Sequence, residues 1–147
     1  MTRLHFTVPG QPVGKARPRA VAVGGTVRMY TPAKTAAYER LVGLHARAAH
    51  DGETFDGPCM LTLWAVLKRP QRLMRKKDPA GRVPCVAKPD LDNVAKALAD
   101  GLQLSGVLAD DALITVLCAS KAYAAKGEEP HAEVWLERVT ETTTEGG

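Results

Sequence analysis

Four aspartates and a lysine, in two short blocks, are the residues of this chain whose types and spacing could do chemistry. The first block is Lys88-Pro89-Asp90-Leu91-Asp92-Asn93-Val94-Ala95-Lys96, and the second is Asp110-Asp111, after Leu108-Ala109. Carboxylates at this density suit a hard divalent cation such as Mg²⁺, which takes several oxygens from separate chain segments and leaves positions for water and a phosphate. A lysine beside such a site can offset charge developing on a transferring phosphoryl group or a leaving oxygen.

The elements that must position these groups follow from the apolar pattern around them. Leu91, Val94, Ala95, Leu98 and Leu102 recur at helical spacing after Pro89, so the first block opens a helix that stops near Ser105-Gly106. Asp92 and Lys96 then share a different face, one turn apart. Asp90 falls at the cap or in the first turn, close to Asp92 and to the positive helix end. A purely structural reading also accounts for these residues. Asp before a helix is a common cap, and Lys96 would be an i,i+4 partner of Asp92 worth about 0.3–0.5 kcal/mol if exposed. Asn93 either orients an aspartate or caps the helix. Asp100, four residues past Lys96, reads as a solvated partner of that lysine. The second acidic pair favours a cation site, because with Asp110-Asp111 carboxylates come from two segments.

Pro-Asp-Leu-Asp-Asn-x-x-Lys-Ala at 89–97, with Asp-Asp at 110–111, resembles the signature of the RusA-type Holliday-junction resolvases, small metal-dependent endodeoxyribonucleases. The stretch Val8-Pro9-Gly10-Gln11-Pro12-Val13-Gly14-Lys15-Ala16-Arg17-Pro18-Arg19, continuing to Tyr30-Thr31-Pro32, is similar to the phage and prophage branch of that family. The likeness runs from about residue 6 to about residue 137. It implies metal-binding aspartates at Asp90, Asp92 and Asp111, with Asp110 ranked behind Asp111, and a catalytic lysine at Lys96. It also implies Mg²⁺ or Mn²⁺ as cofactor, branched DNA as substrate, a role in recombination and repair, and a homodimer. Cutting two strands of a near two-fold junction is simplest for a two-fold dimer, and exposed apolar residues of strands 59–67 or 131–139 are candidates for its interface.

Charge distribution agrees with a polyanionic partner. The net charge of +4 conceals two basic segments: residues 1–50 carry 8 basic and 1 acidic side chain, and residues 68–88 again 8 and 1, whereas residues 128–147 carry 1 and 6. Such segregation favours a nucleic-acid face. Lys15, Arg17 and Arg19 in the N-terminal loop, and Lys68, Arg69, Arg72, Arg75, Lys76, Lys77, Arg82 and Lys88 in the second segment, are the candidate phosphate contacts. Few aromatic residues accompany them, so recognition by backbone shape is expected over base stacking on a single strand.

Other chemistries lack support. Cys59, Cys85 and Cys118 are odd in number and widely spaced, consistent with reduced core or near-core thiols and not with a disulfide framework or zinc site. His5, His45, His50 and His131 share no ligand spacing, no nucleophile stands near a base, and no phosphate-binding Gly-x-x-x-x-Gly-Lys loop is present, so ATP use is not expected. Without a long apolar run or a signal-peptide pattern, a cytoplasmic location is expected.

At 147 residues the chain suits one domain over residues 1–139 with a disordered tail at 140–147. Leu4, Phe6 and Val8 alternate as a first strand, a small hairpin turns at Gly24-Gly25, and Thr31 caps a helix running from Pro32 to about His50. Residues 59–67 read as a central strand covered on both sides, followed by a basic loop at 68–88 with a helical turn around Gln71–Lys77. After the acidic-motif helix, 113–123 and 131–139 read as strands of an antiparallel hairpin. The expected fold is α+β: a two-layer single domain with a mixed β-sheet and two main helices. Two functions remain in view. One is a structure-selective nuclease for four-way junctions, or for flaps and other branched DNA. The other is a non-catalytic DNA-architectural protein whose acids are only caps.

Overall fold

The computed structural model describes residues 3–30 and 32–140; Arg19 is described in its backbone only. The expected Thr31 cap and all of the expected tail beyond Thr140 lie outside the described residues. The element order is β1 (Arg3–Pro9), β2 (Arg19–Val23), β3 (Thr26–Tyr30), α1 (Ala33–Ala49), β4 (Cys59–Leu67), β5 (Val83–Pro84), α2 (Leu91–Leu104), β6 (Ile114–Tyr123) and β7 (His131–Arg138). β1, β7, β4, β6 and β5 form one mixed sheet in that spatial order, while β2 and β3 form a separate two-stranded ribbon. This is the expected α+β arrangement of two helices with a mixed sheet. Among the described residues no helix is long and apolar enough to cross a membrane.

Period-two alternation builds the covered face. Leu4, Phe6 and Val8 of β1 are buried, as are Leu61, Leu63, Ala65 and Leu67 of β4 and Ala132, Val134 and Leu136 of β7. The apolar stripe of α2 closes over them: Val94, Leu98 and Leu102 are fully buried, and Val42 and Ala46 of α1 join the same core. The two helices approach closely at Gly101, where an added Cβ would lie 2.7 Å from Cβ of Val42 and 2.8 Å from the Glu39 carbonyl oxygen.

Four expectations are corrected. β4 is central, but its second face is only partly covered: Val66 is buried there, whereas Trp64 is 43% exposed and edge-on to Trp135, which stacks on His5. β6 and β7 do not pair as a hairpin. They flank β4, with β6 parallel to it and β7 antiparallel, because α2 between β4 and β6 returns the chain in the same direction, as a crossover does. The 68–88 loop contains one 3₁₀ turn, Gln71–Leu73, and also the short strand β5, which pairs with β6. The cysteines are free, but Cys118 is exposed instead of near-core.

Candidate active site

Asp90 is the residue immediately before α2, at the cap position, yet its carboxylate caps no helix N–H. Both its oxygens instead accept from the Lys88 ammonium at 2.9 Å. That contact, with Lys121 adding to it, holds the Asp90 carboxyl below its usual range. Asp92 and Lys96 are exposed on the next turns of α2, and no ion pair joins them among the described residues. The i,i+4 pair of the structural reading is thus not formed. Asp100 likewise pairs with Lys15 and not with Lys96, and the Asn93 side chain makes no hydrogen bond among the described residues.

The second acidic block divides its labour. Asp110 accepts from the Ala112 N–H at 2.8 Å and caps the short 3₁₀ turn Asp111–Leu113. Asp111 does no such work: its backbone N–H donates to the Gln103 side chain at 2.9 Å, which ties the turn to the far half of α2. Burial pushes the Asp111 carboxyl up, and its hydrogen bond with Asp110 and the charges of Asp100 and Asp110 push the same way, while Lys96 pulls it down. Lys96, Asp100 and Gln103 recur at helical spacing along α2, so the bond to Gln103 holds Asp111 at the end of the helix face that carries Lys96.

An oxygen-only set of carboxylates from two segments fits a hard divalent cation in its donor chemistry, and the crowding at Asp111 is the electrostatic condition a cation relieves. The carboxylates are not drawn together into a finished cage: among the described residues no group of three histidines, cysteines or acids is close enough to hold an ion. Asp90 is turned to Lys88, and Asp111 lies against the Lys96–Gln103 side of α2.

The N-terminal loop is part of this site. The Lys15 N–H donates to the Asn93 carbonyl at 2.8 Å, and Gly14 is so close that a Cβ there would lie 2.9 Å from that of Pro89. Lys15 itself is half-buried between Glu39, at 2.6 Å, and Asp100, at 2.9 Å. Burial works against its ammonium, but the bonds to both carboxylates carry its pKa above the ordinary value. Between loop, α1 and α2 lies an open cavity of about 580 Å³ whose lining includes Lys15, Lys34, Lys88, Asp90 and Asn93.

The candidate phosphate contacts separate into two groups. Arg69 is only 6% exposed; its guanidinium donates to the carbonyls of Leu73, Pro79 and Gly81 at 2.7–3.0 Å and so braces the basic loop from inside. Arg82 pairs with Glu128, Arg75 with Asp78, and Lys88 with Asp90. Arg17, Lys68, Arg72, Lys76 and Lys77 are exposed and make no ion pair among the described residues. Nothing is described of the Arg19 side chain.

Lys121 escaped the reading of the sequence. In parallel register with Ala65, it occupies a helix-facing position of β6, and its ammonium donates to the Ala87 carbonyl at 2.6 Å and the Pro89 carbonyl at 2.9 Å. It therefore fixes the segment that delivers Asp90. A lone lysine alternating with Ala119 and Tyr123 in a strand was the signal available.

Compared with known proteins, the chain matches the sequence model of the family described as Endodeoxyribonuclease RusA over residues 9–137. The "Uncharacterized protein YqaN" of Bacillus subtilis (strain 168) is 32% identical over 145 residues, covering 95% of this chain and 99% of that protein.

Proposed function

This chain belongs to the RusA endodeoxyribonuclease family, and on that premise we propose that it is a divalent-metal-dependent nuclease that resolves four-way DNA junctions by paired phosphodiester hydrolysis during recombination and repair. What supports the metal site is that acids of two segments belong to one helix: Asp90 and Asp92 stand at the start of α2, and Asp111 is tied to Gln103 of the same helix. Asp90, Asp92 and Asp111 would hold Mg²⁺, or Mn²⁺ in its place. The ion supplies an activated water and neutralises the nonbridging oxygens of the scissile phosphate.

The chain's own residues do the rest. Lys96, exposed and held by no ion pair among the described residues, offsets charge on the phosphorane or gives a proton to the leaving 3′-oxygen. Asp90 must first leave Lys88, so metal binding frees that lysine for a DNA phosphate in the lysine-lined cavity. Arg17, Lys68, Arg72, Lys76 and Lys77 offer the backbone contacts, while Lys15 and Arg69 hold the two basic loops in shape. A two-fold dimer brings two such sites to one junction, and the open sheet face around Trp64 and Trp135 is the surface we assign to the partner copy.

The test is cleavage of a labelled synthetic four-way junction beside linear duplex and flap DNA, in Mg²⁺, Mn²⁺ or EDTA, with wild type and Asp92→Asn. Paired symmetric nicks confined to the junction, lost in EDTA and in the variant while binding persists, are expected. Metal-independent binding with no cutting would refute the assignment.

A further inference from the structure

The β2–β3 ribbon stands apart from the catalytic sheet, and every side chain described on it is exposed. It turns through Gly24 and Gly25, both at positive φ (56° and 81°), as a two-residue hairpin turn requires. The pairing Ala20↔Met29 and Ala22↔Val27 puts four apolar residues on one face; Val27 is 67% and Met29 64% exposed. The other face pairs Val21↔Arg28 and Val23↔Thr26 and includes Tyr30. A solitary two-stranded ribbon is marginally stable in water, so one with an apolar face left uncovered calls for a partner.

Two further observations identify that partner as nucleic acid. No Asp or Glu occurs before Glu39, so the ribbon carries no acid of its own, and Arg17 and Arg28 make no ion pair among the described residues. The ribbon is also continuous with the loop docked on the catalytic helix: Lys15 is bonded to the Asn93 carbonyl, and the Ala16 N–H to the Thr35 hydroxyl at 3.4 Å. Its root is therefore fixed beside Asp90 and Asp92, and an arm rooted there meets whatever DNA the site holds.

Resting on the nuclease reading above, we infer that the ribbon is a DNA arm whose Val27–Met29 face packs against base pairs exposed at a branch point, with Arg28 on flanking phosphate. A branch interrupts stacking and presents apolar base faces that a continuous duplex hides, and apolar side chains set between base steps are a known way of holding distorted DNA. The apolar face thus gives selectivity for branched over linear DNA, and Arg28 gives affinity for both.

The experiment is fluorescence-anisotropy binding to a four-way junction and to a duplex of the same arm sequence, in EDTA so that no cleavage intervenes. Wild type, the double variant Val27→Ser/Met29→Ser, and Arg28→Gln are compared, with circular dichroism as the folding check, since these exposed side chains support no core. The double variant should weaken junction binding by roughly tenfold or more and leave duplex binding within about twofold. Arg28→Gln should weaken both and reduce the salt slope by about one. Unchanged junction affinity in the double variant would overturn the inference. So would a fall in solution mass by light scattering, which would assign the apolar face to a second copy of the chain. Wild type that binds no junction at all would instead refute the nuclease reading on which the inference stands.

Discussion

Replacing Gly101 by alanine sets two opposing effects against each other. In an ordinary helix the change stabilises by about 1 kcal/mol, because alanine loses less backbone entropy. Here the new methyl would stand 2.7 Å from Cβ and 2.8 Å from Cγ1 of Val42, and 2.8 Å from the Glu39 carbonyl oxygen. Carbon contacts are comfortable at about 3.5–4.0 Å, so the shortfall approaches 1 Å. None of the three obstacles yields easily: Val42 is fully buried, and the carbonyl belongs to the backbone of α1. Relief requires α1 and α2 to move apart, and overpacking of this kind costs typically 1–3 kcal/mol. With backbone as one obstacle we take the upper end, about 3 kcal/mol, leaving a net loss of about 2 kcal/mol. For a chain of this length that lowers Tm by about 4–8 °C. Urea unfolding followed by Trp64 and Trp135 fluorescence measures it directly, and because α2 carries Asp92 and Lys96, junction cleavage should fall too. A Gly101→Ala protein as stable as wild type would refute the reasoning, since it would mean the helices separate at no cost.

Lys121→Met should raise the Mg²⁺ concentration needed for half-maximal cleavage by about 10–100-fold, the usual range for losing a group that orients a ligand, while saturating metal restores most of the rate and Lys121→Arg part of the affinity; a metal titration identical to wild type would exclude this role. The Arg82–Glu128 pair, with bonds of 3.0 and 2.6 Å, holds the Glu128 carboxyl down at about 2 from an ordinary 4.5. A depressed carboxyl contributes stability above its unfolded value and loses it as pH falls through the folded one. Glu128→Gln should therefore cost about 1 kcal/mol at neutral pH after screening, and urea unfolding should show the gap to wild type closing as pH falls from 4.5 toward 2; a pH-independent gap would contradict the pairing.

What could be read from the sequence was local. The α2 stripe, the Gly24-Gly25 turn and the β1 alternation are patterns within a few residues, and all three elements form where those patterns lie. Strand pairing is set by partners far along the chain, and there adjacency misled: β6 and β7 are consecutive, yet β4 separates them. The α2 helix between β4 and β6 was the cue to a parallel crossover. At the site, residue types pointed to two acidic blocks and the family resemblance to Asp90, Asp92, Lys96 and Asp111, but neither to which acids were already engaged. That depends on side chains from other segments: Lys88 on Asp90, Lys15 on Asp100, and a cap bond on Asp110. Arg69 shows the same limit, since composition places it with the DNA contacts and only the fold of residues 70–82 turns it inward.

The pairing of β1 with β7 has a consequence for how the chain is made. Leu4 lies opposite Leu136, and β1 has no neighbour in the sheet other than β7. On the ribosome the first strand must therefore wait for almost the whole chain, with Phe6 and Val8 uncovered and α1 lacking the surface it packs on. β4 waits as well, one edge open until β6 emerges and the other until β7 does, and such open edges are where nascent chains go astray. A chain that stops short of His131 loses its first strand along with its last.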